Sequence, residues 1–399
     1  MKLLVLSHMF PNRHAPFFGV FVCEQLKALD RLGVSARVIS PVPFSPRILW
    51  FNKKWKNYGD IPLEEDIDGI KVSRPRYLAF PKRIMFEKSG WFYYLGIRKF
   101  LREILKDLQI NLIHSHSALP DGQAALYIKK RLNIPYVLTI HGDDLQNTIY
   151  QGRSRKGAIE KVIKESAITI VVSNKLNKIV EEHFPEVPGN KVVVIGNGID
   201  QNVFKSLPKR FPRKREFMIL SVGHLIKIKG HDIFLQVLAK LVKKYTIKYN
   251  IVGGGAERSN LEKIVKDKNL GRIVNFFGPQ PHEEIPKFMK EADLFVLPSW
   301  KEGFGIVYLE AMASGLPVIG CKGQGVEDFV KDGEAGFLVK PKDSNDLYTA
   351  CAKILSNQKL YEQMSKKAIK IASNYTWQKN AERTLQVYKQ VSGKKIIAR

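Results

Sequence analysis

The sequence predicts an α/β protein built of two successive doubly wound units, and three observations predict it. Short apolar runs of β-forming residues alternate with helical patterns along the chain, the signature of βα units and parallel sheets. The 399 residues exceed the ~250–300 at which a single core usually divides. Between the two alternating series, QNVFKSLPKRFPRKRE at 201–216 breaks the pattern with two prolines and six basic residues, and reads as a linker.

The first series opens with KLLVLS (2–7), a buried strand. As a signal-peptide core it is too short, lacks a small-residue cleavage site and runs straight into loop punctuation. Further strands follow at SARVIS (35–40), LIHSH (112–116), YVLTIHG (136–142), ITIVVS (168–173) and KVVVIGNG (191–198). Helical patterns such as EQLKALDRLG (24–33) and DGQAALYIKKRLN (121–133) lie between them and end at Gly or Asn, as helices often do. The second series reads FMILSVG (217–223), KYNIVGGG (248–255), RIVNFFG (272–278), LFVLPS (294–299), PVIGC (317–321) and GFLV (336–339). The helix WQKNAERTLQVYKQV (377–391) has no strand after it and is expected to pack back on the first unit. The expected domains are therefore 1–200 and 217–376, joined by 201–216 and closed by 377–399. Ligands of doubly wound sheets bind beyond the carboxyl ends of the strands, which makes a cleft between the units the expected site.

Composition limits the function classes. Apolar residues make up 44% and charged residues 26%, as in a soluble globular protein. No run reaches the ~18 apolar residues of a membrane span. Cys23, Cys321 and Cys351 show neither disulfide nor zinc spacing, which fits a reducing cytoplasm. The net charge of +27 favours polyanions: nucleic acid, an anionic membrane face or phosphorylated substrates. Basic residues are spread along the chain without a nucleic-acid motif, so a nucleic-acid partner is not expected. PKRIMFEKSGWFYYLGIRKFLREILK (81–106) holds seven basic and two acidic residues among Trp91, Phe92, Tyr93, Tyr94 and Phe100. It suits an interfacial surface facing anionic lipid, and equally a solvated helix whose aromatics pack inward.

Glycines recur where strands run into helices: SVGH (221–224), VGGG (252–255) and PSWKEGFGIVYLE (298–310). Helix N-termini there offer unpaired N–H groups, and glycine lets a phosphate approach the backbone. Lys229, six residues after Gly223, could add a point charge. Neither a P-loop nor a GxGxxG after the first strand is present. Glu302 and Glu310 on one helix would stand ~12 Å apart along the axis and ~80° around it. That exceeds the ~5–9.5 Å of the carboxylate pairs that cleave glycosidic bonds. Because EGFG is poor helix material, Glu302 is expected in the loop and Glu310 on the first turns of the helix. Such a pair could accept hydrogen bonds from sugar and ribose hydroxyls, with the Gly303–Gly305 amides on a diphosphate. A solvated Glu310 is the plain alternative.

Three other polar groups invite a metal reading. His114 and His116 alternate in a strand and are expected on opposite faces, which disfavours a metal pair. His141 with Asp143 and Asp144 reads as a cleft rim before a metal site. Asp66-Ile-Asp68, followed by Gly69, reads as a turn leading into a strand.

PSWKEGFGIVYLEAMASGLPVIG (298–320) closely resembles the Glu-x7-Glu motif of glycosyltransferase family 4, retaining nucleotide-sugar enzymes of the two-domain GT-B fold. GHLIKIKG (223–230) looks like that family's phosphate loop, and VVSNKL, VIGNGID, NIVGGG, VNFFGPQP and EADLFVLPS are further matches. In the first half, PFFGVFVCEQ, IHSHSALPDG and LTIHGDD are similar to members that build bacterial cell-surface polysaccharides, the teichuronic acid branch included. The resemblance spans nearly the whole chain and implies two Rossmann-like domains facing across a cleft, the first on the acceptor side and the second holding the nucleotide sugar. It implies that Glu310 binds the ribose and Glu302 faces the donor hexose. Lys229 and the amides of Gly303, Phe304 and Gly305 would hold the diphosphate with Gly223, and Gly278, Pro279 and Gln280 would lie by the base. Gly19 would sit against the phosphate and donor sugar, and His141 beside donor sugar and acceptor. Catalysis would rest on His141, Glu302 and Lys229. His224 stands where the family's loop carries arginine, and a neutral imidazole lacks the guanidinium's fixed charge and fork.

The expected reaction is transfer of a hexosyl group from a nucleoside diphosphate sugar to a hydroxyl of a glycan or lipid-linked acceptor, with retention, in cell-envelope or exopolysaccharide synthesis. No metal or other cofactor is expected. The expected location is the cytoplasm, with the inner membrane face as a docking surface. A GT-B nucleotide-sugar epimerase is the alternative enzyme. A two-lobed solute-binding protein and a nucleic-acid binder fit the residues less well.

Overall fold

The computed structural model describes residues 1–107, 109–205, 207–212 and 216–397. The chain divides into two compact units, Met1–Gly196 with Trp377–Arg399, and Asn197–Thr376. The described part of 201–216 lies in the second unit. Phe204 is buried, Phe211 packs on Phe217 and Tyr361, and the Lys209 amide donates to Ser365 Oγ at 2.6 Å. Apolar side chains inserted among the basic ones tie this stretch to the core. Residues 206, 213–215 and 398–399, which the expected linker and closing helix include, lie outside the described residues.

The first unit carries an eight-stranded sheet. Its order is Val192–Val194, Ile168–Val171, Tyr136–Ile140, Leu112–His116, Lys2–Leu6, Ser35–Ile39, Ile70–Ser73, Glu64–Ile67. Every pairing is parallel except the last. The central strands are covered on both faces, so KLLVL and YVLTI read as nearly unbroken apolar runs. Asp66 lies within the edge strand Glu64–Ile67, and only Asp68-Gly69 form the turn, both at positive φ. The expected turn at 66–68 is thus the end of a hairpin, because the short polar side chains of an exposed edge tolerate pairing.

The second unit has six parallel strands in the order Val274–Gly278, Thr246–Val252, Glu216–Val222, Leu294–Val296, Val318–Cys321, Gly336–Val339. This is the doubly wound order, which reverses between Glu216–Val222 and Leu294–Val296. Phe217, Ile219, Phe234, Leu238, Tyr249 and Ile251 belong to the core beside it. In the first unit the corresponding reversal falls between Lys2–Leu6 and Leu112–His116. At each reversal the two following loops run to opposite faces and leave a crevice beyond the strand ends.

The closing helix Trp377–Ile397 packs on helix Val20–Asp30. Gln25 Nε2 donates to Asn380 Oδ1 at 2.7 Å, Asn380 Nδ2 to the Gly196 carbonyl at 2.8 Å, and the Tyr388 hydroxyl meets His114 Nδ1 at 2.7 Å.

Candidate active site

In the second unit the loops at the reversal hold most of the residues singled out in the sequence. After Glu216–Val222, Gly223 and the exposed His224 lead into a single turn at Lys227–Lys229. After Leu294–Val296 the chain passes through Ser299 and Trp300 to Glu302, and helix Ile306–Ala313 begins at Gly305. The two loops are bonded together: the Trp300 amide donates to the Ile228 carbonyl at 3.0 Å, and Ser299 Oγ to the same carbonyl at 3.2 Å. Across them Lys229 Nζ reaches Glu302 Oε2 at 2.6 Å, with the side chains only 16% and 15% exposed. Charge-assisted pairing at that distance fixes the ammonium at the crevice while cancelling much of Glu302's charge.

Glu302 lies in the loop and Glu310 inside the helix. Gly305 takes φ 95°, and a Cβ there would come within 2.8 Å of the Tyr308 ring and 3.3 Å of Glu302 Cγ. Glycine therefore lets the loop fold tightly onto the helix N-terminus, where unpaired N–H groups gather. Phe304 is buried against Phe329. The loop is also held by Gln324, whose Oε1 accepts from the Glu302 amide at 3.0 Å, while the Gly325 amide donates to the Glu302 carbonyl at 3.3 Å. Glu310 is buried, and its Oε1 meets His282 Nε2 at 2.8 Å. His282 follows the loop Gly278–Pro279–Gln280, in which Gln280 Nε2 donates to the Phe277 carbonyl at 2.8 Å.

So Gly223, Lys229, Glu302–Gly305 and Glu310 gather at one end of the sheet, with Gly278–Gln280 attached through His282. Sequence reading missed His282 and Gln324. His282 had one signal, its place two residues after the Gly278–Gln280 loop. Gln324 had none, since its role comes from a loop folding back beneath Gly303.

Gly19 and His141 lie in the first unit. Gly19 opens helix Val20–Asp30 at φ 78°, and a Cβ would fall 2.3 Å from the Met9 carbonyl oxygen. Two residues on, the Phe21 ring lies 4.4 Å from that of His141. His141 stacks on His116 at 10° between planes, and His141 Nε2 meets His116 Nδ1 at 3.1 Å. The expectation that His114 and His116 face opposite sides is overturned: their rings are 4.2 Å apart. A strand has period two, so residues i and i+2 share a face, and Ser115 is the one turned away. His114 also meets Thr139 Oγ1 at 2.7 Å. Burial, then the His8 charge, pulls the His141 imidazole down to about 3. Burial does the same to His114, and puts His116 well below the usual range. His141 is therefore neutral, fit to orient a hydroxyl and too weak to serve as a base.

Asp143 is taken up by Arg83 at 3.0 Å and Asn147 at 2.7 Å, and Asp144 accepts the Ala118 and Leu119 amides at 2.8 and 3.3 Å. Among the described residues no three of His, Cys, Asp and Glu gather in a metal-holding arrangement.

Comparison with known proteins supplies the class. The fold is shared with sucrose-phosphate synthase of Thermosynechococcus elongatus (TM-score 0.80, 21% identity, 98% of this chain and 99% of that one). It is also shared with Alr3699/HepE of Anabaena, solved with UDP and glucose (TM-score 0.71, 19% identity, 98% and 100%). Both share the GT-B fold of two doubly wound units. Residues 19–203 match the model of Glycosyltransferase Family 4 and residues 202–371 that of Glycosyl transferases group 1. TuaC of Bacillus subtilis (strain 168), assigned to teichuronic acid biosynthesis as a glycosyltransferase, is 30% identical over 359 residues, covering 88% of each chain. The D-inositol 3-phosphate glycosyltransferase of Corynebacterium urealyticum is 29% identical over 306 residues, 71% of this chain and 72% of that one. The chain belongs to glycosyltransferase family 4.

Proposed function

We propose that the protein transfers a hexosyl group from a nucleoside diphosphate sugar to a hydroxyl of a glycan or lipid-linked acceptor, with retention and without a metal, in the synthesis of cell-envelope or extracellular polysaccharide. The observation that carries this is the pairing of two glutamates, Glu302 and Glu310, with Lys229 and His282 around a glycine-opened helix N-terminus at the sheet reversal. Lys229 and the amides from Gly303 to Gly305 would take the negative charge that grows on the departing diphosphate, the preorganised electrostatic role that usually contributes most. Glu310, held by His282, would accept the ribose hydroxyls, and Glu302 would face the hexose. With His141 neutral, the leaving phosphate is the group left to help take the acceptor proton. The UDP bound by HepE, which shares this fold, supports a nucleotide donor.

The test is a panel of UDP-, GDP- and ADP-sugars, read by thermal shift and by sugar appearing on an acceptor. Glu310→Ala should weaken nucleotide-sugar binding at least tenfold, the cost of one or two lost carboxylate hydrogen bonds. A Glu310→Ala protein that binds and turns over donor as the wild type does would sink the assignment.

An anionic membrane face is the proposed docking surface for the first unit. Phe44, Leu78, Trp91, Phe92 and Leu95 line a groove of about 520 Å³ open to solvent, with Arg76 among its walls, and the sequence around Trp91 carries Lys82, Arg83, Lys88 and Lys99. Among the described residues no helix is long and apolar enough to cross a membrane.

A further inference from the structure

Phe304 stands between two glycines, and glycine leaves a backbone more freedom than any other residue does. The loop from Glu302 to Gly305 therefore has little stiffness of its own, and the aim of its amides depends on what grips the Phe304 side chain. That side chain is buried in a triangle of rings: Phe329 lies at 5.2 Å and Tyr375 at 6.2 Å, with 5.6 Å between those two. All three separations fall within the ~4.5–7 Å of attractive aromatic pairs. The Tyr375 hydroxyl donates to the Asp328 carbonyl at 3.1 Å, which pins this ring to the turn Gly325–Asp328. The same turn lies directly against the loop: a Cβ on Gly325 would fall 2.2 Å from the Gly303 carbonyl oxygen.

Tyr375 is anchored from its other side as well. Its amide donates to the Ala372 carbonyl at 2.9 Å, at the end of helix Gln358–Ala372, and its carbonyl accepts the Ile199 amide at 3.0 Å. Ile199 is buried and bridges to Thr376. The first and last residues of the second unit thus meet beside Tyr375, which holds the ring's backbone in place. From that fixed point the ring reaches the glycine loop through Phe304.

We propose that Tyr375 is a positioning residue for the diphosphate: its ring and hydroxyl together clamp Phe304, and Phe304 aims the Gly303–Gly305 amides. The proposal rests on the transferase reading, because the aim of these amides matters only if they meet the charge of a diphosphate. An amide already aimed at that charge stabilises it without reorganising, and the advantage is lost when the amide swings freely. Loosening the clamp should therefore weaken the hold on the phosphates and leave the hold on the nucleoside as it is. Tyr375→Phe keeps the ring and loses one hydrogen bond, so its effect should be smaller than that of Tyr375→Leu, which loses both.

The experiment titrates the full chain with UDP, GDP and ADP, takes the diphosphate that wild type binds most tightly, and measures the matching nucleoside by competition against it. Tyr375→Leu should weaken the diphosphate about tenfold and Tyr375→Phe about threefold, the range of one hydrogen bond's net contribution, with nucleoside affinity unchanged in both. In wild type the diphosphate should also slow hydrogen exchange at Gly303–Gly305, the nucleoside should not, and Tyr375→Leu should lose that protection. Phe211→Leu, which takes a ring away from Phe217 and Tyr361 in the core of the same unit, controls for general loosening and should leave both affinities unchanged. Should Tyr375→Leu fail to fold, Tyr375→Phe decides alone. Equal loss of diphosphate and nucleoside, wild-type affinity for the diphosphate in the Tyr375 variants, or the same selective loss in Phe211→Leu would overturn the clamp and leave the diphosphate reading standing. A wild type that binds none of the three diphosphates would strike the transferase reading instead.

Discussion

Two backbone N–H groups, from Ala118 and Leu119, point at the carboxyl of Asp144, yet burial outweighs them and raises it from an ordinary 3.8 to about 7. The folded chain thus keeps a proton that the unfolded chain releases near pH 4. Stability from this group is complete below pH 4 and is lost as pH rises through about 7, a span worth a few kcal/mol at about 1.4 kcal/mol per unit. Asp144→Asn should flatten the dependence of Tm on pH between 4 and 7, measured against wild type by scanning calorimetry. A variant whose Tm follows the wild-type slope would remove that account. At this scale the sequence showed Glu302, Lys229 and Glu310 through a motif whose spacing is local. Tyr375, which meets Phe304 from the last residues of the second unit, carried no such sign. Neither did Gln324 beneath Glu302.

Helix Ser89–Asp107 resolves the two readings of 81–106 by dividing its faces. Tyr93, Ile97, Leu101 and Ile104 are buried at helical spacing, while Trp91 and Leu95 face outward with Lys99 and Arg102. The sequence showed aromatics and cations interleaved, but a helix sorts them by angle, and only the packed neighbour decides which side is covered. Elsewhere in the first unit, Ile48, inside the turn Arg47–Leu49, and Phe51, just after it, are 82% and 87% exposed. If this surface docks on lipid, sedimentation should show tighter binding to anionic than to neutral vesicles, weakening with salt as surface charges are screened. Trp91→Ser together with Phe51→Ser should reduce it several-fold without lowering Tm. Equal binding to both vesicle types at every salt concentration would remove the electrostatic argument.

Across the whole molecule the chain leaves its first unit near Gly196, builds the second, and returns at Trp377 to finish the first. The returning helix supplies Tyr388, whose hydroxyl meets His114 Nδ1 inside the first unit. Tyr388→Phe would leave that buried nitrogen without its partner, at a cost of about 1–3 kcal/mol. Hydrogen exchange should then quicken in Leu112–His116 and Val20–Asp30 and stay unchanged in Leu294–Val296. Uniform acceleration of both units would contradict it. By itself the sequence determined the alternation of strands and helices, the glycines where strands meet helices, and a family motif, because all of these are periodic or local. The tertiary structure alone decided the strand order, and so which loops share a crevice: Lys229 meets Glu302 across 73 positions because Glu216–Val222 and Leu294–Val296 are neighbours. Strand order follows from burying the sheet faces together across the whole chain, a cooperative outcome that no short stretch encodes.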